Sequence, residues 1–535
     1  MDRFDLNSLK KFAPPTVLFF VLVGLFLRLW RINQSDFIFF DEGYYLNFNI
    51  RYLYIIQKFF PQNWADFWQA FWLCMRVSLG TGKAMWFAIV DSRVFLGLLE
   101  TWWVPRVVSA VAGVLTLGLC YQFARRWSNS GAVAALSVVL LSILPSHVFY
   151  SRIAIQETVC VLFFLSGLYL YLFSARLGGR TIASAVLLSA AYFSNYRLII
   201  IPVLVAVAEI WSKFSVGQWP DIRKYVWHTV VFLALMVLIG NLDQAQNTIV
   251  TFSWMFHQAH LGEERFDWFN FLSYPYCLFR LEHGLFGIFF FGNVYFLFRK
   301  RYSELLPFAL AVTQMFMFSF AADKAARYLS VVMPFLAMGV AVLIVAVFQE
   351  SHRARTRWVL GLGVAFMIAG MTVKSFQLAN FRSAYRSSME FLLSHDPNVK
   401  VLSTQNWVQN LYTPRRTQVW ECPHQFGLFV KLFSEGFRVL IVDPQAYISY
   451  TADGKKFTSE LGDYLGFVVD NVKPLAVYPH FSPLILERFV LEHNENLKRS
   501  LLFLRDHGAD AGILRVYSMD QCMLTIQAAM NSRKH

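Results

Sequence analysis

The chain has 535 residues, of which 56% are hydrophobic, 17% aromatic and only 15% charged. A water-soluble protein of this length needs far more charge to cover its surface, so much of the chain faces an apolar medium. The net charge of +14 does not signify nucleic acid, because Lys and Arg sit in short clusters between apolar runs, the pattern of loops beside an anionic leaflet.

From the N-terminus, a polar stretch (Met1 to Lys11) precedes a long apolar run from Pro14 to Trp30 with no small-residue cleavage site after it. This reads as a retained anchor rather than a cleaved signal. A membrane-crossing helix needs about 17–25 apolar residues. About eleven candidates follow by that criterion, near 14–31, 104–124, 130–149, 153–174, 181–195, 197–212, 226–242, 284–298, 304–321, 327–348 and 358–377. Asn195 and Arg197 interrupt the stretch 181–212, which reads either as two helices or as one long helix with a polar break.

Six basic clusters fix the expected orientation: Lys10-Lys11, Arg125-Arg126, Arg176 with Arg180, Lys213 with Arg223-Lys224, Arg299-Lys300-Arg301, and Arg353 to Arg357. With eleven helices all six fall on the cytoplasmic side. The other side then holds the loop 33–103, the loop 243–283 and everything after residue 380. Both loops are dense in aromatic residues, as in amphipathic helices lying at the interface. The expected architecture is a polytopic α-helical membrane domain over 1–380, followed over 381–535 by a small extracytoplasmic α/β domain. Short strand-like runs, 399–402 and 437–443, alternate there with amphipathic stretches such as 383–394 and 493–505. The six cysteines show no CxxC spacing, so neither a metal site nor a disulfide framework is readable.

Asp41-Glu42 lies a few residues beyond the first helix, within Phe40-Asp41-Glu42-Gly43-Tyr44-Tyr45. Carboxylates in such an aromatic, partly dehydrated setting suit general-base chemistry; an acidic turn capping the next helix is the plainer reading. Arg152 ends one apolar run where the positive-inside rule gives no reason for a cation, and Glu157 stands about one turn into the next. The two read as a pair lining a cavity or as a structural salt bridge. Lys324, Arg327 and Tyr328 place two cations at a helix start, suited to a phosphate or to snorkelling toward lipid headgroups. Asn195, Arg197, His257, His260, Glu263 and Glu264 share the expected side.

At these residues the sequence resembles the GT-C class of integral-membrane glycosyltransferases, nearest the protein O-mannosyltransferases and the lipid A aminoarabinose transferases. The resemblance rests on Phe40 to Tyr45, on Ser151-Arg152-Ile153-Ala154 with Glu157, and on Ala326-Arg327-Tyr328-Leu329 followed by Pro334. It implies inverting transfer of a sugar from a polyprenyl-phosphate donor to an acceptor hydroxyl on a protein, lipid or glycan outside the cytoplasm. Carried onto this chain, Asp41 is the base and Glu42 orients the acceptor or the base. Arg152, Glu157, Lys324, Arg327 and Tyr328 hold the donor phosphate, and Tyr44, Tyr45, Asn195, Arg197, His257 and His260 contact substrate. No cofactor is implied and a metal is not expected, since cations suffice for a phosphate leaving group. Membrane lipids are the other expected partners. A transporter or flippase is the rival reading, but it calls for internal repeats and charges near mid-helix, and the sequence shows polar groups gathered at one face instead.

Overall fold

A computed structural model describes residues 6–33, 41–46, isolated positions between 65 and 75, 83–91, 102–174, 178–240 except 216, 268–320, 325–413, 418–444 with 448, 460–480, 486–488, 491–492, 497–507 and 512–532. The membrane part is built from α1 (Leu6–Leu29), α2 (Ala84–Asp91), α3 (Val104–Ser128), α4 (Gly131–Ile143), α5 (Pro145–Tyr150), α6 (Glu157–Leu172), α7 (Gly179–Ser194), α8 (Ile201–Phe214), α9 (Ile222–Gly240), α10 (Gly284–Phe291), α11 (Leu306–Ser319), α12 (Met333–Glu350) and α13 (Ala354–Ala379).

Proline sets several of these starts. Pro105, Pro202, Pro307 and Pro334 each stand in the first turn of their helix, where the missing N–H has no intrahelical partner to lose. Pro145 does the same for α5 and splits the run expected as one helix over 130–149. Ser130 caps α4 by accepting the Val133 N–H at 3.3 Å, and His283 caps α10 by accepting the Leu285 N–H at 3.2 Å. The stretch 181–212 resolves into α7 and α8, separated by an extended Asn195 and a 3-10 turn over Tyr196–Ile200.

Among the described residues, four helices are long and apolar enough to cross a membrane: Val104–Ser128, Ile222–Ile239, Ala326–Glu350 and Ala354–Ala379. Burial separates their roles. The most apolar window of Ala326–Glu350 is 83% buried, whereas those of α9 and α13 are 22% and 17% buried. The first is the centre of the bundle, packed on α4 and α11. The other two turn bare apolar faces outward, with Trp358, Leu362 and Phe366 of α13 all exposed, as a lipid-facing helix requires.

The basic clusters gather at one end of this bundle. Arg126 stacks on Tyr169 and Phe173, Arg299 pairs with Glu350, and Arg301 pairs with Glu304 and Glu350. The opposite end carries the candidate site.

Beyond α13 comes α14 (Tyr385–His395), then a five-stranded sheet in the order β2-β1-β3-β5-β4. The strands are β1 (Val401–Ser403), β2 (Val419–Glu421), β3 (Val439–Val442), β4 (Ala476–Pro479) and β5 (Ile513–Ser518). β1 runs parallel to β2 and β3; β5 is antiparallel to β3 and β4. Central β3 is buried along its whole length, which accounts for its uninterrupted Val-Leu-Ile-Val. Asp443, just past β3, accepts the Tyr385 hydroxyl at 2.6 Å and lies 3.2 Å from His480, so the first helix after the bundle is pinned to the sheet. The turn after β1 reaches the membrane domain, where the rings of Trp407 and Tyr44 meet edge to face with centroids 5.0 Å apart.

Candidate active site at the end of the bundle

Residues 41–46 are helical, and their two carboxylates go to different partners. Asp41 forms an ion pair with Arg327, which is 3% exposed against 13% for the Asp41 side chain. Glu42 is fully buried and bidentate to Arg106, with bonds of 2.5 and 2.9 Å, and it also accepts the Ala154 N–H at 2.9 Å. A planar guanidinium matched to both oxygens is the strong form of this contact. Glu42 therefore locks the motif to the starts of α3 and of the 152–156 turn. Both of its oxygens are occupied by these structural contacts.

Gly43 is required by a close approach. A β-carbon there would stand 2.8 Å from the Val408 nitrogen and 2.9 Å from its α-carbon. Tyr44 is half-buried against Trp407, while Tyr45 is buried with the Lys83 ammonium 4.5 Å from its ring centre.

Arg152 does not pair with Glu157. Its guanidinium donates to four main-chain carbonyls: Leu27 at 2.6 Å, Arg28 at 3.2 Å, Trp30 at 2.8 Å and Ala379 at 2.9 Å. These are the terminal carbonyls of α1 and α13, which have no intrahelical partners. A cation is also the favoured group at a helix C-terminus. The arginine that the sequence assigned to phosphate thus clamps two helix ends in this structure. Arg152→Met is expected to destabilise the protein by about 3 kcal/mol or more, since it strands several buried acceptors. Thermal unfolding in detergent measures this, and unchanged stability would refute the clamp.

Glu157 is fully buried at the start of α6, with Gln156 Nε2 at 3.3 Å from one oxygen. Lys83 and Arg197 lie within electrostatic reach of it. Arg197 stacks over Tyr328 at 4.3 Å, and Asn195 caps the turn that presents it by accepting the Arg197 N–H at 3.2 Å. Lys83 precedes α2, outside the spanning helices. Removal from water, and then the Arg197 charge, push its ammonium down to about 7 against the opposing pull of Glu157.

The structure thus brings Asp41, Glu42, Tyr44, Tyr45, Arg152, Glu157, Asn195, Arg197, Arg327 and Tyr328 to one end of the bundle. Lys324, His257, His260, Glu263 and Glu264, with most of the aromatic loops 33–103 and 243–267, lie outside the described residues. Among the described residues no three His, Cys, Asp or Glu groups come together as metal ligands. Sequence reasoning missed Lys83, Arg106, Tyr150, Arg488 and Glu492. Arg106 gave a usable signal, since it is an arginine in the first turn of a long apolar helix.

Residues 18–249 match the family model described as dolichyl-phosphate-mannose-protein mannosyltransferase. No curated protein sequence matches. Among solved structures, the chain is similar to ArnT from Cupriavidus metallidurans in the apo state, with a TM-score of 0.53 and 15% identity over 82% of this chain and 94% of that one. The same protein bound to undecaprenyl phosphate gives a TM-score of 0.54 and 15% identity over 81% and 94%. The chain has the fold of the GT-C glycosyltransferases. The family match over 18–249 and the fold shared with ArnT agree with one another. The GT-C resemblance read from the three short motifs is therefore upheld by the fold over about four-fifths of the chain, well beyond the residues that carried it.

Proposed function

We propose that this chain transfers a sugar from a polyprenyl-phosphate donor to an acceptor hydroxyl at the extracytoplasmic surface, with inversion and with Asp41 as general base. The observation that carries this reading is the Asp41–Arg327 ion pair at the site end of the bundle. Transfer needs a carboxylate to take the acceptor proton and cations to hold the departing phosphate. In this structure these two groups neutralise one another.

A carboxylate paired to a guanidinium binds a proton poorly. A donor phosphate offers Arg327 a competing anion, and as the guanidinium turns to it Asp41 is released as a base. The acceptor O–H proton then passes to Asp41 while the acceptor oxygen bonds to the anomeric carbon. The anomeric carbon–phosphate oxygen bond breaks, and its electron pair leaves on the polyprenyl phosphate. Arg327, Arg197, Lys83 and Lys324 offset that charge, while Tyr328 fixes Arg197 and Glu157 holds Lys83 and Arg197 in balance. His257 and His260 are proposed acceptor contacts. The solved ArnT structure with undecaprenyl phosphate supports the class of donor.

The test incubates the purified protein with polyprenyl-phosphate-linked hexoses and pentoses and follows release of the lipid phosphate. The reading fails if no such donor is consumed and undecaprenyl phosphate does not bind. Lys83 adds a pH signature. Its ammonium form prevails below about 7, so undecaprenyl phosphate affinity is expected to fall about tenfold from pH 6 to pH 8, the worth of one charge-assisted hydrogen bond. Lys83→Arg stays charged and should lose that dependence; titration of the lipid phosphate itself is common to both proteins. An identical pH profile in the two would remove Lys83 from the donor site.

A further inference from the structure

Residues 486–488 and 491–492, between β4 and β5 in the chain, meet the membrane domain at several points. Glu487 takes an ion pair from Arg280 at 2.6 Å and the Tyr276 hydroxyl at 3.1 Å. Arg488 is 2% exposed, with its guanidinium 4.4 Å from the Phe149 ring centre and 5.3 Å from that of Tyr150. The Leu491 carbonyl accepts the Ala326 N–H at 2.9 Å. Glu492 is fully buried; one oxygen accepts the Tyr150 hydroxyl and the other accepts the main-chain N–H of Arg327 at 3.3 Å.

A carboxylate so buried is costly unless its charge is answered. Here Arg488 is stacked on the same Tyr150 ring whose hydroxyl donates to Glu492, and the start of the helical run Ala326–Glu350 supplies the Arg327 N–H and the positive end of its dipole. Glu492 thus acts as a helix cap delivered from another part of the chain. The capped residue is Arg327, whose side chain pairs with Asp41. Ala325, the residue before the turn, makes no side-chain cap.

We propose that Glu492 is the positioning residue of the transfer site, setting the register of the Ala326–Tyr328 turn so that Arg327 is aimed at Asp41 and at an incoming phosphate. The proposal rests on the transferase reading above. It makes the C-terminal region a working part of the site rather than an appendage.

The experiment measures binding of undecaprenyl phosphate, with undecaprenol as the phosphate-free comparison, to the full-length protein in detergent. Glu492→Gln keeps the shape but accepts less strongly, and should weaken undecaprenyl phosphate about five- to tenfold, the scale of one hydrogen bond to a charged group. Undecaprenol binding should not change. Because Glu492 acts through Arg327, the double variant Glu492→Gln/Arg327→Ala should bind no more weakly than Arg327→Ala alone. A merely structural role would weaken both backgrounds equally. If Glu492→Gln does not accumulate, Tyr150→Phe removes the hydroxyl that holds the Glu492 carboxylate in place and takes the same test of non-additivity. Wild-type affinity in the variant that accumulates, or additive losses, would overturn the proposal while leaving the transferase reading intact. Wild-type affinity in Arg327→Ala would instead overturn the donor-site assignment of the transferase reading, and the proposal with it.

Discussion

Asp41→Asn is expected to turn over about 10²–10⁴-fold more slowly than the native chain, the range for loss of a general base. The substitution is nearly isosteric and keeps an oxygen for Arg327, so the fold at the motif should survive. What it removes is the capacity to take a proton from a hydroxyl that is barely acidic. A second consequence separates this explanation from a plain loss of structure. On the proposed mechanism Asp41, which pairs with Arg327, competes with phosphate for it, so the asparagine variant should bind undecaprenyl phosphate at least as tightly as the native chain. Donor turnover and lipid-phosphate binding are measured on the same preparation. Native turnover in this variant would show that Asp41 is not the base. Reduced turnover with equally reduced binding would show that it only organises the site.

Glu42→Gln, one residue away, is expected to act on stability. The carboxylate and Arg106 are both fully buried and matched by two bonds. Removing one charge leaves the other in the interior without compensation, a loss of about 3–5 kcal/mol. Folded protein in detergent should fall sharply, and thermal unfolding reads the size of the loss. Replacing both partners by apolar side chains, as in Glu42→Leu with Arg106→Met, should restore most of it, because a buried ion pair gains little over a well-packed hydrophobic pair. A Glu42→Gln protein of native stability and reduced acceptor use would reinstate Glu42 as a substrate contact. Adjacent carboxylates in one motif thus carry different loads, one chemical and one architectural.

Four of the expected spans and several shorter apolar helices were legible, because an apolar run is a local property. So was the gathering of polar groups at one end, since each lies at a helix start or end and the basic clusters mark the opposite end. The roles within the site were less so. Arg152 and Arg106 are both arginines at helix ends, yet one serves carbonyls of α1 and α13 and the other a carboxylate in the first loop. Those partners lie 64 to 227 residues away in the chain, beyond what spacing can reveal. Glu492 was the least legible. It sits in a stretch of ordinary composition, and its task depends on where residues 486–488 and 491–492 meet the bundle.

The contact of Gly43 with Val408 has a consequence for exchanging parts between related enzymes. The first-loop motif is moulded against a main-chain segment 365 residues further on, at a separation that excludes even one methyl group. The C-terminal region is therefore not a module to be grafted at residue 380 alone. A chimera carrying a foreign C-terminal region should regain a native site only when the turn after β1 is matched to the 41–46 helix it touches. The two must be inherited as one unit, although the chain writes them at opposite ends.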